Sequence, residues 1–250
     1  MASETILSVR GLRKRYEGLL ALAGVDFDVA RGEVFGIIGP NGAGKTTLFS
    51  CLVGAVAPTS GAIFFAGERI DGLANHAIVE RGLVRTHQIV RPFREMTVEE
   101  NVSIGAYFGA GRRRKEDADR RVAAVLERTS LARRAGALAG TLTIGESKRL
   151  EIARALATEP EVLCLDEVMG GLNPSEIQEA MRLIRSIRDS GVTVLMIEHH
   201  VHAVVGVSDR ILVLNFGRKI AEGRPADVLK DAAVVAAYLG EEIIVEGAPA

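Results

Sequence analysis

The sequence predicts an α/β fold, a mostly parallel sheet flanked by helices, on three observations. The apolar run "EVFGII" passes directly into "GPNGAGKTTLFSCLVG", where the glycines stop and a helical period begins. A second short apolar run, "EVLCLDEV", is followed by a helical stretch over 175–190 and a strand over 192–197, which together make one βαβ unit. Between them, from about 97 to 158, the pattern is helical, so a helical section separates two sheet-forming parts.

The remaining elements follow in order. Residues 5–10 and 25–38 alternate or run in β-branched and aromatic residues and break at "ARGE", which predicts early strands joined by tight turns. Short strands are expected at 61–66 and 83–87. Thr97 and Glu100 have capping-box spacing at the start of the helical section, which includes the charged stretch 116–128. A hairpin about "NFGR" within 211–222 and two short helices within 226–239 complete the chain, which carries no internal repeat and no low-complexity segment.

Composition narrows the function classes. With 48% hydrophobic residues in 250, the chain can bury a sizeable core. Its 31 basic and 32 acidic side chains leave a net charge of -1 and no sustained basic stripe, which argues against a nucleic-acid partner. The "RRRK" run at 112–115 is followed by "EDAD" and reads as a solvated helix face. Cys51 and Cys164 lie in apolar surroundings without metal-type spacing and are expected as buried, reduced thiols. No window approaches the roughly 18 continuous apolar residues of a spanning helix, so any membrane association is expected through a partner.

Gly39 to Thr46, "GPNGAGKT", matches the P-loop pattern G-x-x-x-x-G-K-[ST] directly after a strand and at the opening of a helix. The glycines let several backbone amides turn onto a β-phosphate, Lys45 supplies a point charge between the β- and γ-phosphates, and Thr46 offers a hydroxyl to Mg²⁺. An ordinary glycine-rich turn would leave Lys45 and Thr46 unexplained. Such a loop needs a carboxylate at the end of a neighbouring strand, and "VLCLDE" puts Asp166 there, expected to hold Mg²⁺ through water. Glu167 is the candidate to polarise the water that attacks the γ-phosphate; the competing reading is a strand followed by an acidic N-cap.

"TLTIGESKRL", 141–150, admits two readings. Thr143 and Glu146 have the form of a capping box, whereas a hydroxyl residue and Gly145 at a helix N-terminus suit an anion. His199, His200 and His202 crowd four positions, but without a cysteine partner or HExxH spacing they do not read as a metal site.

These stretches line up with one family. Through "GPNGAGKTT", "VRTHQIVRPFREMTVEENV", "RLEIARAL", "GGLNP", "IEHHV" and "AYLGE", the chain resembles the nucleotide-binding subunits of ATP-binding cassette (ABC) transporters from Tyr16 to about Leu239. It looks most like the ATPase subunits of branched-chain amino acid importers. The resemblance implies an ABC-type P-loop core over about 1–90 and 159–240, with an antiparallel β subdomain, a helical subdomain over about 91–158 and a tail at 241–250. It also implies ATP and Mg²⁺ as cofactors, held by Gly39, Pro40, Asn41, Gly42, Ala43, Gly44, Lys45, Thr46 and Thr47.

By the same resemblance Tyr16 stacks on adenine, Gln88 is the Q-loop glutamine that touches Mg²⁺ and the attacking water, and His199 is the switch histidine on the γ-phosphate. "LTIGE", 142–146, corresponds to the family signature usually written LSGGQ, which closes over the nucleotide of the opposite subunit. Thr143 and Gly145 keep its hydroxyl and its close backbone approach. Ile144, Glu146, Val168 and His200 depart from the family pattern, and a Glu146 carboxylate facing polyphosphate would weaken binding.

The resulting expectation is an ATPase on the cytoplasmic face of a membrane, dimerising with a second such subunit, like or unlike, around two MgATP and driving permease subunits through the Gln88 to Asn101 region. A solute-binding protein enters only indirectly. The segment of Phe93, Met96 and Val98 is either a docking surface for a permease loop or plain core. A soluble ABC ATPase unattached to a transporter is the alternative. A P-loop kinase would need an acceptor pocket and an arginine-bearing lid, whereas this chain offers Glu167 and His199 to a water.

Overall fold

The structure, a computed structural model, describes residues 4–86, 92–108 and 115–238. Its first sheet joins β1 (Thr5–Tyr16), β2 (Leu19–Ala30), β4 (Ser60–Phe65) and the short β5 (Glu68–Arg69), all antiparallel, in the order β2-β1-β4-β5. β1 runs on to Tyr16 and β2 begins at Leu19, so the paired ribbon is longer than the strands expected at 5–10 and, before the break at "ARGE", within 25–38. Its ladder shifts register between Val9 and Leu12, at Leu12/Arg13 and at Lys14/Arg15, and each shift interrupts the alternation by which a strand is recognised.

The second sheet carries β3 (Val34–Ile38), β6 (Leu83–Arg85), β7 (Val162–Asp166), β8 (Thr193–Ile197), β9 (Arg210–Asn215) and β10 (Arg218–Gly223), in the order β10-β9-β3-β8-β7-β6. Pairing is parallel except for the β9–β10 hairpin, whose turn is Phe216–Gly217 within the predicted "NFGR". Every residue of β3, β7 and β8 is buried, as expected of parallel strands covered on both faces. The period of two divides their side chains between two cores. Phe35, Ile37, Cys164, Leu195 and Ile197 pack with the antiparallel sheet and α1 (Lys45–Leu52). Val34, Ile38, Leu163, Leu165, Val194 and Met196 pack beneath the helices.

Those helices are α3 (Val98–Phe108), α4 (Lys115–Arg128), α5 (Ile144–Leu156), α6 (Pro174–Asp189) and α7 (Val201–Val207); α8 (Pro225–Val228) and α9 (Ala232–Tyr238) follow β10. α2 (Asn75–Glu80) has no counterpart in the sequence reading; it is a short helix without a side-chain cap. Thr97 and Glu100 bond reciprocally at the start of α3, as their spacing predicts. Asn173 and Glu176 make a further capping box at α6. Cys51 and Cys164 are free and buried, and burial pushes their thiols up to about 11 and about 12. Val98 is core, whereas Phe93 is exposed beneath the Arg154 guanidinium. Gln88, the "RRRK" run up to residue 114 and the tail 241–250 lie outside the described residues. Among the described residues no helix is long and apolar enough to cross a membrane.

Candidate active site

The glycine loop leaves β3 at Gly39 and enters α1 after Gly44. Both glycines are required sterically: a Cβ at Gly39 would lie 2.1 Å from the Leu214 carbonyl oxygen, and one at Gly44 2.6 Å from that of Ala21, with φ at +103°. Lys45 is buried, and its Nζ donates to the Gly39 and Pro40 carbonyls at 2.5 and 3.0 Å, so the ammonium is held inside its own loop. The loop borders an open cleft of about 460 Å³, the size of small-ligand sites. Asn41 to Thr47 form its polar end, Glu167 and His199 line it, and Tyr16, Leu19, Leu20 and Phe216 supply apolar surface.

Asp166 ends β7, fully buried. One oxygen, Oδ2, accepts from Arg85 Nη2 at 2.5 Å; the other, Oδ1, is buried with no hydrogen-bond partner among the described residues. Arg85 Nη1 also donates to Ser50 Oγ at 3.2 Å, and Ser50 Oγ donates to the Thr46 carbonyl at 2.7 Å. A continuous polar chain thus ties the strand-end carboxylate to the first turn of α1.

Glu167 follows with φ of +50°, a left-handed conformation costly for a residue with a Cβ. Its N–H donates to the Ile197 carbonyl at 2.9 Å, and its own carbonyl accepts from Lys148 Nζ at 2.7 Å. This turn brings Glu167 Oε1 within 2.6 Å of His199 Nε2, uniting two candidates 32 positions apart in the sequence. His200 and His202 stay on the exposed side of the segment.

Thr143, Gly145 and Glu146 do not line this cleft. Thr143 is the N-cap of α5: its Oγ1 accepts from Glu146 N at 3.2 Å, and Glu146 Oε2 accepts from Thr143 N at 2.9 Å. Glu146 Oε1 lies 3.2 Å from Arg134 Nε. Gly145 packs against Glu176, whose Oε1 would sit 2.6 Å from an added Cβ, and Ile144 points outward. Gln88 cannot be placed among these groups, being outside the described residues.

Arg85 and Phe216 were not legible as site residues. Arg85 matters only because β6 lies beside β7. Phe216, 83% exposed, comes from the hairpin turn, which is fixed to the loop by the Gly217 N–H to Ala43 carbonyl bond at 2.9 Å and to β2 by the Ala23 N–H to Gly217 carbonyl bond at 2.8 Å.

The ABC transporter family model matches residues 22–170, and that of the branched-chain amino acid ATP-binding cassette transporter matches 218–244. The chain is 44% identical over 253 aligned residues, covering 96% of it and 99% of the relative, to the high-affinity branched-chain amino acid transport ATP-binding protein BraF of Pseudomonas aeruginosa. It is 43% identical, with the same coverage, to LivG of Escherichia coli K12, a protein of the same description. Among solved structures, the cassette MJ1267 of an ABC transporter in its ADP conformation superposes with a TM-score of 0.87 at 32% identity, covering 96% of this chain and all of that one. A nucleotide-free cassette from an ABC transporter superposes with 0.86 at 32% identity, covering 95% and 100%. With its glycine loop, Glu167 and His199 gathered on one cleft, and with relatives this similar over nearly its whole length, the chain belongs to the ABC transporter family of ATP-binding proteins.

Proposed function

We propose that the chain is the ATP-hydrolysing subunit of an importer for branched-chain or related amino acids. The observation that carries this reading is the convergence on one cleft of the Lys45–Thr46 loop end and the Glu167–His199 pair. The relatives BraF and LivG, described as branched-chain amino acid transport ATP-binding proteins, and the match at 218–244 support the solute class and disfavour a soluble ABC ATPase without a transporter.

In this reading, the backbone from Gly39 to Thr47 and the Lys45 ammonium hold the phosphates, while Tyr16 receives the adenine. Asp166 Oδ1, a buried acceptor with no partner among the described residues, suits a hydrated divalent cation, with Thr46 and Gln88 completing the set. When bound, Mg²⁺ neutralises charge on the phosphate oxygens. Glu167 takes up the proton of the attacking water, and His199, in contact with it, keeps the carboxylate oriented and presents its ring to the γ-phosphate. Thr143, Gly145 and Glu146, away from their own cleft, serve the nucleotide of a second ATPase subunit. ATP bridging two subunits favours the closed dimer, and hydrolysis removes the bridge.

Exposed Phe93 is the proposed contact for a permease loop. The assembly would then sit on the cytoplasmic face, with a solute-binding protein serving the permease from the other side. Co-expression with the neighbouring membrane subunits tests the reading. Co-purification and ATP-dependent leucine uptake into vesicles are expected; phosphate release by a chain that never associates with membrane subunits would overturn it.

A further inference from the structure

Glu198, directly before His199, is buried, with 2% of its surface exposed, yet takes no part in the chemistry above. Its Oε1 accepts the Met169 backbone N–H at 2.7 Å. Met169 lies two residues after Glu167 and is itself fully buried. The peptide around Glu167 is therefore gripped at three points: by the Ile197 carbonyl at its N–H, by Lys148 Nζ at its carbonyl, and by Glu198 at the Met169 amide. A non-glycine residue at φ +50° persists only where its surroundings over-determine it, and these bonds do so. Of the three, the Glu198 bond is the one made by a side chain from the segment that carries His199.

We propose that Glu198 is a positioning residue for ATP hydrolysis: its buried carboxyl fixes the Met169 amide, and with it the left-handed turn that keeps Glu167 against His199. The inference rests on the reading of Glu167 as the group that activates water. Binding of nucleotide does not require this bond, because Glu198 does not line the cleft. Turnover does, since a displacement of about 1 Å at a catalytic group is worth up to about 10²-fold.

The test compares three substitutions in the full chain. Glu198→Ala leaves the Met169 amide without an acceptor, Glu198→Asp keeps the carboxyl group but falls short of the amide, and Glu198→Gln keeps a carbonyl oxygen at the right reach. Expected are a drop in kcat of about tenfold or more for Ala and Asp, an unchanged Kd for MgATP, and recovery of most turnover by Gln. Hydrogen exchange at the Met169 amide, followed without nucleotide, should be slow in the native chain and the Gln variant and fast in the other two. Should Ala fail to fold, Asp and Gln still give the comparison. Full turnover in Asp, a Gln variant as slow as Asp, or equal loss of affinity and kcat in Asp would each overturn the proposal. If Glu167→Gln hydrolyses normally, the underlying reading falls; if Glu167→Gln is inactive while Glu198→Asp is fully active, only the present inference falls.

Discussion

His199 Nε2 and Glu167 Oε1 lie 2.6 Å apart although β7 and β8 deliver them from separate strands. Their contact follows from register: Asp166 pairs with Ile197, so the residues just beyond both strand ends emerge side by side at the carboxyl edge of the sheet. Glu167→Gln should keep the contact and the binding of ATP while lowering phosphate release by about 10²- to 10⁴-fold. Light scattering in MgATP should then find the dimer accumulating. Unchanged phosphate release would remove Glu167 from its role.

Arg85 and Asp166 form a pair in which the carboxylate is fully buried. Arg85→Met removes the partner of this buried carboxylate, which should destabilise the chain by about 3 kcal/mol or more, read from urea unfolding. Arg85→Lys should not restore it fully, because the planar fork reaches both Asp166 and Ser50. A loss below about 1 kcal/mol for Arg85→Met would mean that the Arg85–Asp166 pair does not stabilise the fold.

Phe216 borders the cleft on the hairpin turn while Tyr16 borders it on β1. Phe216→Ala should leave stability within about 0.5 kcal/mol, since the ring is exposed. A base placed against it would gain about 1 kcal/mol, so the Kd for ATP should rise by about fivefold or more. Inorganic triphosphate, which has no base, should bind equally well to both proteins. Equal weakening of both ligands would show the ring acting through the loop and not through the base.

The glycine loop was legible because its pattern is continuous in sequence: strand, amides, Lys45 and helix lie within a few residues. Asp166 and Glu167 were legible once that loop was recognised, because a phosphate site calls for a carboxylate on the next strand. Arg85 and Phe216 were not, since each becomes relevant through a neighbour far along the chain, Asp166 in one case and Ala43, by way of Gly217, in the other. The early strands were truncated in the sequence reading for a local reason, the register shifts of β1 against β2. Asn173 was missed as a helix cap because it closes the "GGLNP" loop, where Pro174 and the glycines dominate the pattern.

Glu198 should also leave a mark on stability as a function of pH. Burial raises its carboxyl from 4.5 to about 7, opposed by the Met169 amide, the Lys148 charge and the His199 amide, and assisted by the neighbouring Glu167. The folded state therefore binds this proton more tightly than the unfolded chain. Its favourable contribution is complete below about pH 4.5 and is lost as pH rises through about 7. Glu198→Gln has no such titration. From pH 5 to pH 8 the native chain should lose about 2 to 3 kcal/mol relative to that variant in urea unfolding. Parallel pH profiles would show that the carboxyl is solvated and not buried.

Glu146 decides between the two readings of the helix start. Its Oε2 accepts the Thr143 N–H and its Oε1 faces Arg134, so the carboxylate is occupied within its own subunit. Glutamine at the same place can still accept from the Thr143 amide, which is why capping boxes use either residue. Glu146→Gln should therefore cost at most about 1 kcal/mol, from the lost pairing with the partly exposed Arg134. The Kd for ATP, measured with a hydrolysis-deficient Glu167→Gln chain so that the dimer persists, should shift by less than about twofold. A marked rise in affinity would mean that on closure the carboxylate leaves its cap and faces the opposite γ-phosphate, with the departure from the glutamine of the family signature then acting as a brake on dimerisation.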